Sequence, residues 1–448
     1  MIQINKALII SASKRCTYKN RGILISLICL FFSSLATAAS TNQILTLADA
    51  IQRSLAKNPA LKVFSFRDQT LQGRLKTAQL KPAYNLAIAT ENFAGTGDFK
   101  GVNNTEFTIS LSSTIELGGK LEARQGFYSQ SRLRLEAQRQ VKSLALLGEV
   151  TRRYIDVLAA QQRIILAKEA VQLAEITLKI VKKRVEVGSA PTAEIKRAQA
   201  ADVQLQLTLL SEQQQLRYLK VALSELWGKT IPDFKSVSGD LFNYGQDVDF
   251  KSLYTKVGKN PAIQVFITEA SLKDAELRLA KTESTSDLSW SVGVRQFQQT
   301  NDTAITAGFS MPLFSNKRNS GAVSAALAAR NEVFAQKEVA LLKMHRQLFR
   351  AFSNRQQAII SAKKLRKQIV PALEEALKQT QQAYERGRYS YLDYVSARQE
   401  LLRARLLLIE SASAALTYGA NIEQLTAESL SASQYPDIHN INKANFKD

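Results

Sequence analysis

The sequence predicts a mainly α-helical fold that contains two β-hairpins and is built by internal duplication. The first observation is a period-two alternation between residues 105 and 117, where five of the six odd positions from Phe107 to Leu117 are apolar. Such alternation is typical of a strand with one apolar face. The second observation is a proline-free run of good helix formers from 121 to 187. The third is that a strand pattern and a long helical pattern recur in the same order at 287–314 and 321–386.

The N-terminal segment has the features of a secretory signal peptide. Five basic residues and no acidic residue precede a 13-residue apolar run, Ile23–Leu35, which is followed by Ala36-Thr37-Ala38. The run is too short to cross a membrane as a helix, which takes about 17–25 residues. We therefore predict that residues 1–38 are removed on export, which lowers the net charge from +21 to +16.

The residue types that usually carry chemistry are scarce. Both cysteines, Cys16 and Cys29, lie within the predicted signal peptide, so the mature chain has no thiol for a disulfide or a thiolate metal site. Its histidines are His345 and His439, and no nucleotide-binding loop, zinc-protease motif or CxxC pair is present. These features argue against an enzyme, including an acyl transferase or protease, and against a cofactor or a bound metal. Because the basic residues are scattered along helix faces of an exported chain, a nucleic-acid partner is not predicted.

The first repeat is predicted to span residues 39–248. It begins with a helix over 45–80, which Pro59 interrupts because proline disfavours a helical conformation at the preceding residue. The remaining elements are a β-hairpin over 83–117, a long helix over 121–187, a return helix over 192–227 and a linker. At 1.5 Å per residue, the long helix measures on the order of 100 Å.

The second repeat is predicted to span residues 249–428, and a polar tail follows over 429–448. Lys259–Ala262 repeats the Lys-Asn-Pro-Ala motif of Lys57–Ala60. Gly188 and Gly387 each stand at the end of a long helical pattern, which predicts two equivalent helix turns at the tips of the helical hairpins. The elements of the repeat are a helix, a β-hairpin over 287–314, a long helix over 321–386 with a candidate kink at Pro371, and a return helix over 389–428.

The two hairpins indicate a membrane-spanning sheet. The strand at 105–117 reaches the length of about 9–11 residues that a tilted barrel strand needs to cross a bilayer. Four strands do not close a barrel alone, because single-chain barrels begin at about eight strands and open edges are not viable in lipid. Several chains must therefore contribute, and three copies supply twelve strands. The residues expected to face lipid, with core packing as the alternative, are Phe107, Ile109, Leu111, Trp290 and Phe309.

Five short segments, in a fixed order, carry a resemblance to a known family. They are Lys57-Asn58-Pro59, Thr114–Lys120 (TIELGGK), Leu223–Leu226, Pro312-Leu313-Phe314 and Tyr384–Gly387 (YERG). With these segments, the chain from 45 to 428 resembles the TolC-like outer-membrane efflux channels of Gram-negative bacteria. The IELGGK variant is more similar to the heavy-metal (CzcC-like) branch than to the multidrug branch.

The resemblance implies a homotrimer. Its twelve strands form a β-barrel in the outer membrane, in contact with lipid, and its long helices form an α-barrel across the periplasm. The trimer is then the exit duct of a tripartite efflux system, with a periplasmic adaptor (membrane fusion protein) and an inner-membrane pump of RND or ABC type as partners. Heavy-metal cations are the expected substrates, and multidrug efflux and type I secretion are the alternatives. On the residues alone, a periplasmic coiled-coil adaptor or structural spacer stays open, because such proteins share long helical hairpins.

The resemblance also implies a periplasmic gate at the helix turns, 187–194 and 386–393. By motif match, Asp393 corresponds to an aperture carboxylate, Tyr384 to a gate tyrosine and Glu194 to an acidic partner. Three Asp393 carboxylates around an axis form a ring that favours cations. The alternatives are ordinary helix N-terminal charge for the two carboxylates and core packing for the tyrosine.

Two positions depart from the family pattern at this gate. The second aperture aspartate of the family falls on Ser396, and its gate arginine falls on Tyr389. Because Arg386 and Arg388 lie beside that position, they are expected to take the place of the gate arginine and to help Tyr384 to hold the gate closed.

Overall fold

The computed structural model describes residues 44–245 and 249–429, and side chains at 315 and 316 are not described. The predicted signal peptide at 1–38 and the predicted tail beyond residue 429 lie outside these ranges. The elements in chain order are β1 (Ile44–Leu45), α1 (Leu47–Lys57), α2 (Pro59–Ala78), β2 (Asn85–Glu91), β3 (Glu106–Ile115), α3 (Lys120–Glu186), α4 (Thr192–Glu225), β4 (Ser236–Val237), α5 (Phe250–Val257), α6 (Pro261–Thr282), β5 (Leu288–Phe297), β6 (Thr303–Ser310), α7 (Ser315–Lys364), α8 (Val370–Glu385) and α9 (Tyr391–Thr426).

The two hairpins join into one antiparallel sheet in the order β2-β3-β5-β6. Strand β3 pairs with β5 in a register that sets Ile109 opposite Val294 and Leu111 opposite Val292. Opposite residues of an antiparallel pair share a face, so the apolar faces of the two hairpins become continuous. Strands β2 and β6 are the edges of this sheet.

The two faces of the sheet differ in polarity. On one face, Phe107, Ile109 and Leu111 are 40–44% exposed in the protomer, and Ile305 is 81% exposed. The other face carries serine, threonine and charged side chains, among them Arg295. An exposed apolar face of this extent marks contact with lipid or with another apolar surface. Elsewhere in the described ranges, none of the helices has a stretch apolar and uncharged enough to span a bilayer.

The second of the two long helices departs from the prediction in its start and in its continuity. Helix α3 extends over 67 residues, close to the prediction. The second long helix begins at Ser315, six residues before the predicted start, because Phe314 adopts a left-handed φ of 60° there and Gly321 is accommodated inside the helix. It also contains a π-helical turn at Leu365–Ile369, just before Pro371. Such turns commonly accommodate a break in the helical hydrogen-bond ladder, and this one lies beside the candidate kink, which stays a prediction.

The repeated Lys-Asn-Pro-Ala motif makes the same hydrogen bonds in both halves of the chain. Asn58 and Asn260 each cap the helix that begins at the next proline, accepting from the backbone N–H two residues later at 2.9 and 2.8 Å. Each amide also donates to the end of a return helix, to the carbonyl of Leu226 at 2.8 Å and of Leu425 at 3.0 Å. The motif therefore fixes the start of one helix against the end of another.

Two hydrophobic clusters pack the helices together at different positions along their length. One surrounds Tyr154 and Trp227 and joins α1, α3 and the segment after α4. The other contains Val181, Ala198 and Tyr384 and brings together α3, α4, α8 and α9 where their turns lie. Both helix turns are therefore at the same end of the molecule, opposite the sheet.

Candidate functional site

The two helix turns have the same backbone geometry. Gly188 and Gly387 adopt left-handed φ values of +72° and +76°. In each turn the glycine N–H donates to the carbonyl three residues back, and the next N–H donates to the carbonyl five residues back. This is the Schellman motif, which favours glycine because a Cβ is strained at positive φ. The sequence-predicted tips are thus rigid caps that position the side chains around them.

A hydrogen bond joins the two turns through Tyr384. This tyrosine, on the last turn of α8, is completely buried, and its hydroxyl donates to Glu194 Oε2 at 2.8 Å. Glu194 lies in the first turn of α4. Burial, and then the hydrogen bond to Glu194, raise the pKa of Tyr384 well above its ordinary value. The hydroxyl therefore remains a donor throughout the physiological pH range.

Aromatic and cationic contacts fix the ring of Tyr384. It stacks on Tyr394 with centroids 5.6 Å apart and contacts Tyr391 edge-on at 6.4 Å. The Arg184 guanidinium carbon lies 4.2 Å from the ring centroid of Tyr384, at cation–π distance. Arg184 also donates to the carbonyl of Ser189 at 3.0 Å. The ring thus links α3 to α8 and α9, while its hydroxyl reaches α4.

A buried arginine lies behind this cluster. Arg398 is 3% exposed and donates to Thr177 Oγ1 at 3.1 Å, and Thr177 contacts the hydroxyl of Tyr394 at 3.4 Å. Its Nε has no hydrogen-bond partner among the described residues. Burial lowers the pKa of Arg398. Among the described residues, this buried guanidinium forms its hydrogen bond with a threonine hydroxyl and lies near Tyr391 and Tyr394.

Asp393 makes a different set of contacts from those of Tyr384. Its carboxylate accepts from the backbone N–H of Ser390 at 3.0 Å and from the Ser390 hydroxyl at 2.7 Å, while the Asp393 N–H donates back to that hydroxyl. This is a capping box at the start of α9. The Ser390 hydrogen bonds lower the pKa of Asp393, which is exposed. Within the protomer its geometry is that of a helix cap.

The sheet carries a second polar cluster, on the face opposite its apolar side chains. Arg295 donates to Thr108 at 3.0 Å and Glu106 at 2.8 Å, and it pairs with Glu91 at 3.1 Å. These contacts cross β5, β3 and β2 at the end of the sheet that is distant from the helices. In the described ranges, no group of three or more histidine, cysteine, aspartate or glutamate side chains is placed to hold a metal ion.

The outer membrane efflux protein family model matches residues 50–229 and 257–428. The chain belongs to the outer membrane efflux protein family. It is therefore an outer-membrane transport channel and not an enzyme. The assignment confirms the predicted family and contradicts the alternative of a periplasmic adaptor or spacer.

Individual members of the family extend this similarity along most of the chain. The cobalt-zinc-cadmium resistance protein CzcC of Cupriavidus metallidurans is 24% identical over 366 residues, covering 81% of this chain and 85% of that protein. The nickel-cobalt-cadmium resistance protein NccC of Alcaligenes xylosoxydans xylosoxydans is 24% identical over 273 residues, covering 60% of this chain and 61% of that protein. The crystal structure of the Campylobacter jejuni CmeC outer membrane channel shares the fold, with a TM-score of 0.70, 15% identity and coverage of 89% and 88% of the two chains.

Within the protomer of this efflux protein, the arginine that contacts the gate tyrosine is not one of the two expected, and the gate role of Arg386 and Arg388 stays a prediction. Arg386 and Arg388 are exposed and form no hydrogen bond or ion pair through their side chains with any described residue. The arginine that contacts Tyr384 is Arg184, on the other hairpin. Arg386 and Arg388 flank the glycine of the cap and are exposed, whereas Arg184 lies against the ring of Tyr384.

The remaining residues named in the sequence analysis lie on the surface of the turn end or on the sheet. Ser396 donates to Glu400 at 3.3 Å, and Tyr389 is 51% exposed. Arg184 was missed because no repeat or periodicity marks it. The one available signal is its distance from the helix turn. Arg184 lies four residues before Gly188, and Tyr384 lies three residues before Gly387. The five residues predicted to face lipid lie together on the apolar sheet face: Phe107, Ile109, Leu111, Trp290 and Phe309.

Proposed function

We propose that this channel is the exit duct of a tripartite system that expels divalent heavy-metal cations. The observation that carries the substrate class is the similarity along 85% of a cobalt-zinc-cadmium resistance protein. A second metal-resistance protein, for nickel, cobalt and cadmium, matches over 61% of its length. On this proposal the metal ion is cargo that passes through the duct.

The sheet supports a trimer that closes a barrel. Strands β2 and β6 are open edges within the protomer, and such edges are unfavourable in lipid. Three copies that pair β6 of one protomer with β2 of the next close a barrel of twelve strands. The apolar face then contacts lipid, and the polar face, with Arg295 and its two glutamates, lines the lumen.

The other end of the molecule supplies the contact with the inner-membrane machinery. The helix turns lie opposite the sheet, so in an outer-membrane trimer they point into the periplasm. We assign this end to docking of a periplasmic adaptor and, through it, of an RND-type pump that provides the energy for export. We assign the aperture to this end as well, with three copies of the exposed Asp393 carboxylate as a local ring around its axis.

The hydrogen bond between Tyr384 and Glu194 is the proposed latch of the gate. It joins the end of α8 to the start of α4, which belong to different helical hairpins. Opening the tip separates these hairpins and therefore breaks the bond. Arg184 stabilises the closed position by contacting the Tyr384 ring from α3.

Growth of a gene-deletion strain tests the substrate class. Hypersensitivity to cobalt, zinc, cadmium or nickel, reversed by the wild-type gene, is the expected result. Hypersensitivity to dyes, detergents or antibiotics with unchanged metal tolerance assigns the duct to multidrug efflux instead. Loss of an exported protein from the medium, with both tolerances intact, assigns it to type I secretion.

A further inference from the structure

We infer that the turn end of this protein is a basic docking surface whose partner presents an acidic helical tip. We define the turn-end surface as residues 176–200 and 376–400. It contains ten basic and five acidic residues, a net charge of +5. This is about a third of the +16 excess of the mature chain, within 50 of its residues. The inference rests on the proposed function, because it names the chemistry of the partner that docks there.

Most of the cations on this surface are free. Eight of the ten basic side chains are exposed and form no ion pair or side-chain hydrogen bond within the part of the chain that the structure describes; these are Lys179, Lys182, Lys183, Lys196, Arg197, Lys378, Arg386 and Arg388. The other two are Arg184, which lies over Tyr384, and the buried Arg398. Free surface cations at this density produce a positive potential that attracts acidic groups.

The acidic side chains of the same surface are mostly engaged locally. Glu194 accepts from Tyr384, and Asp393 accepts from Ser390. Glu385 and Glu400 also accept hydrogen bonds from side chains four residues away, at 3.0 and 3.3 Å. The acids therefore stabilise the protomer's own turns, whereas the cations face outward without partners.

The positions of the cations favour a protein tip over a flat lipid surface. Arg386 and Arg388 flank the turn glycine of the second hairpin. Lys182 and Lys183 lie six and five residues before Gly188, which is about 8–9 Å along the helix at 1.5 Å per residue. A flat layer of lipid headgroups meets only the cations at the turn, whereas an acidic helical hairpin that inserts between the protein's hairpins meets both levels.

Exposed apolar side chains between these cations also fit a protein partner. Val187 is 68% exposed, Leu392 62% and Tyr389 51%. Apolar and aromatic contacts inside a charged rim are typical of protein–protein interfaces. The partner we infer therefore combines carboxylates with a small apolar patch at the end of a helical hairpin.

Binding of designed helical hairpins to the purified detergent-solubilised channel tests the inference. Three hairpins are used that differ only in their tips, which carry glutamates, lysines or serines. At about 50 mM salt we expect the glutamate hairpin to associate at least ~10-fold faster than the serine hairpin, and the lysine hairpin not to bind. At about 0.5 M salt the association rates of the glutamate and serine hairpins are expected to differ by less than ~2-fold, because the Debye length becomes shorter than the distances between the charges.

Charge reversal on the channel locates the site. The double variants K182E/K183E and R386E/R388E are each expected to lose at least ~10-fold in association rate with the glutamate hairpin. The matched control K142E/K343E changes the net charge equally at exposed lysines outside the turn-end surface, and it is expected to bind like the wild type. Equal loss in the control, or equal binding of all three hairpins, overturns the inference.

Two further outcomes separate this inference from its alternatives. Binding to phosphatidylglycerol vesicles that is as strong as binding to the glutamate hairpin, and equally sensitive to R386E/R388E, overturns it in favour of a lipid surface. Failure of the glutamate hairpin to bind, in a protein whose deletion still causes metal hypersensitivity, refutes the acidic partner and leaves the duct intact. Binding without a metal phenotype supports the docking surface and refutes the metal substrate.

Discussion

Replacing Tyr384 with phenylalanine removes the latch and little else. The hydroxyl that donates to Glu194 at 2.8 Å is lost, while the ring that stacks on Tyr394 and contacts Arg184 is kept. A hydrogen bond to a charged acceptor contributes about 1.5–3 kcal/mol, and the partial exposure of Glu194 favours the lower value. At about 1.4 kcal/mol per factor of ten, one lost latch shifts the closed-to-open ratio roughly tenfold. Three latches that open together shift it roughly a thousandfold.

Single-channel recording of the purified trimer in planar bilayers measures this shift. The open probability of Tyr384→Phe is expected to rise by at least ~10-fold at neutral pH. Tyr389→Phe is the matched control, because Tyr389 is 51% exposed in the same turn and its hydroxyl forms no hydrogen bond with a described residue. If Tyr384→Phe and Tyr389→Phe both keep the open probability of the wild type, the bond to Glu194 does not hold the gate closed.

Three other predictions concern the helix caps, the sheet–helix junction and pH. Asn260→Ala removes the cap of α6 and the side-chain donor to the carbonyl of Leu425. We expect the free energy of unfolding to fall by about 2 kcal/mol, measured as a lower midpoint of thermal unfolding. Asn58→Ala is expected to cost less, because the Asn58 side chain is less buried. Gly118→Ala is expected to reduce the yield of assembled trimer more than Gly188→Ala. Both glycines have φ near +72°, but a Cβ at 118 meets the Thr285 hydroxyl at 2.5 Å, whereas at 188 nothing lies within 4 Å, a difference of about 1–3 kcal/mol. Raising the pH from 7 to 9.5 leaves the open probability unchanged, because the pKa of Tyr384 is raised above its ordinary 10.0 and the latch is lost only above that value.

A specific result would contradict each of the predictions for the helix cap, the sheet–helix junction and pH. Equal unfolding midpoints for Asn260→Ala and the wild type refute the role given to the repeated motif. Equal trimer yields for the two glycine variants show that the junction tolerates a side chain beside Thr285. An open probability that rises between pH 7 and 9.5 in the wild type, and not in Tyr384→Phe, shows that the hydroxyl ionises near its ordinary pKa.

The strands and the long helices were predictable because their signals are local. Alternation in 105–117 depends on neighbouring residues, and the structure places β3 at Glu106–Ile115. Arg295 lies on the polar face of the sheet, and its partners in β2 and β3 are too distant in sequence for a local pattern to predict. Helix α3 was predicted within one residue at each end, because glycines bound it and no proline interrupts it. The start of α7 lies six residues before the predicted one, because Gly321 is accommodated within the helix.

The candidate gate could be predicted only in part. The motif match identified Tyr384 as a candidate gate tyrosine and Glu194 as an acidic residue of the other hairpin, and the structure shows a hydrogen bond between them that the match did not specify. Arg184 and Arg398 were not found, since their contacts join helices that are about 200 residues apart in sequence. Asp393 was foreseen with two interpretations, and its capping box gives it a structural contact in the protomer while its position in an aperture stays a prediction.

By itself the sequence determined the element types, the duplication, the scarcity of catalytic groups and the resemblance to outer-membrane efflux channels. All of these depend on residue type and spacing along the chain. Only the tertiary structure decided that β3 lies beside β5, that Arg184 and not Arg386 or Arg388 contacts Tyr384, and that the cations of the turn end lack partners. These depend on which helices pack together and in which register, because side chains distant in sequence meet only after the hydrophobic clusters have fixed the helices against one another.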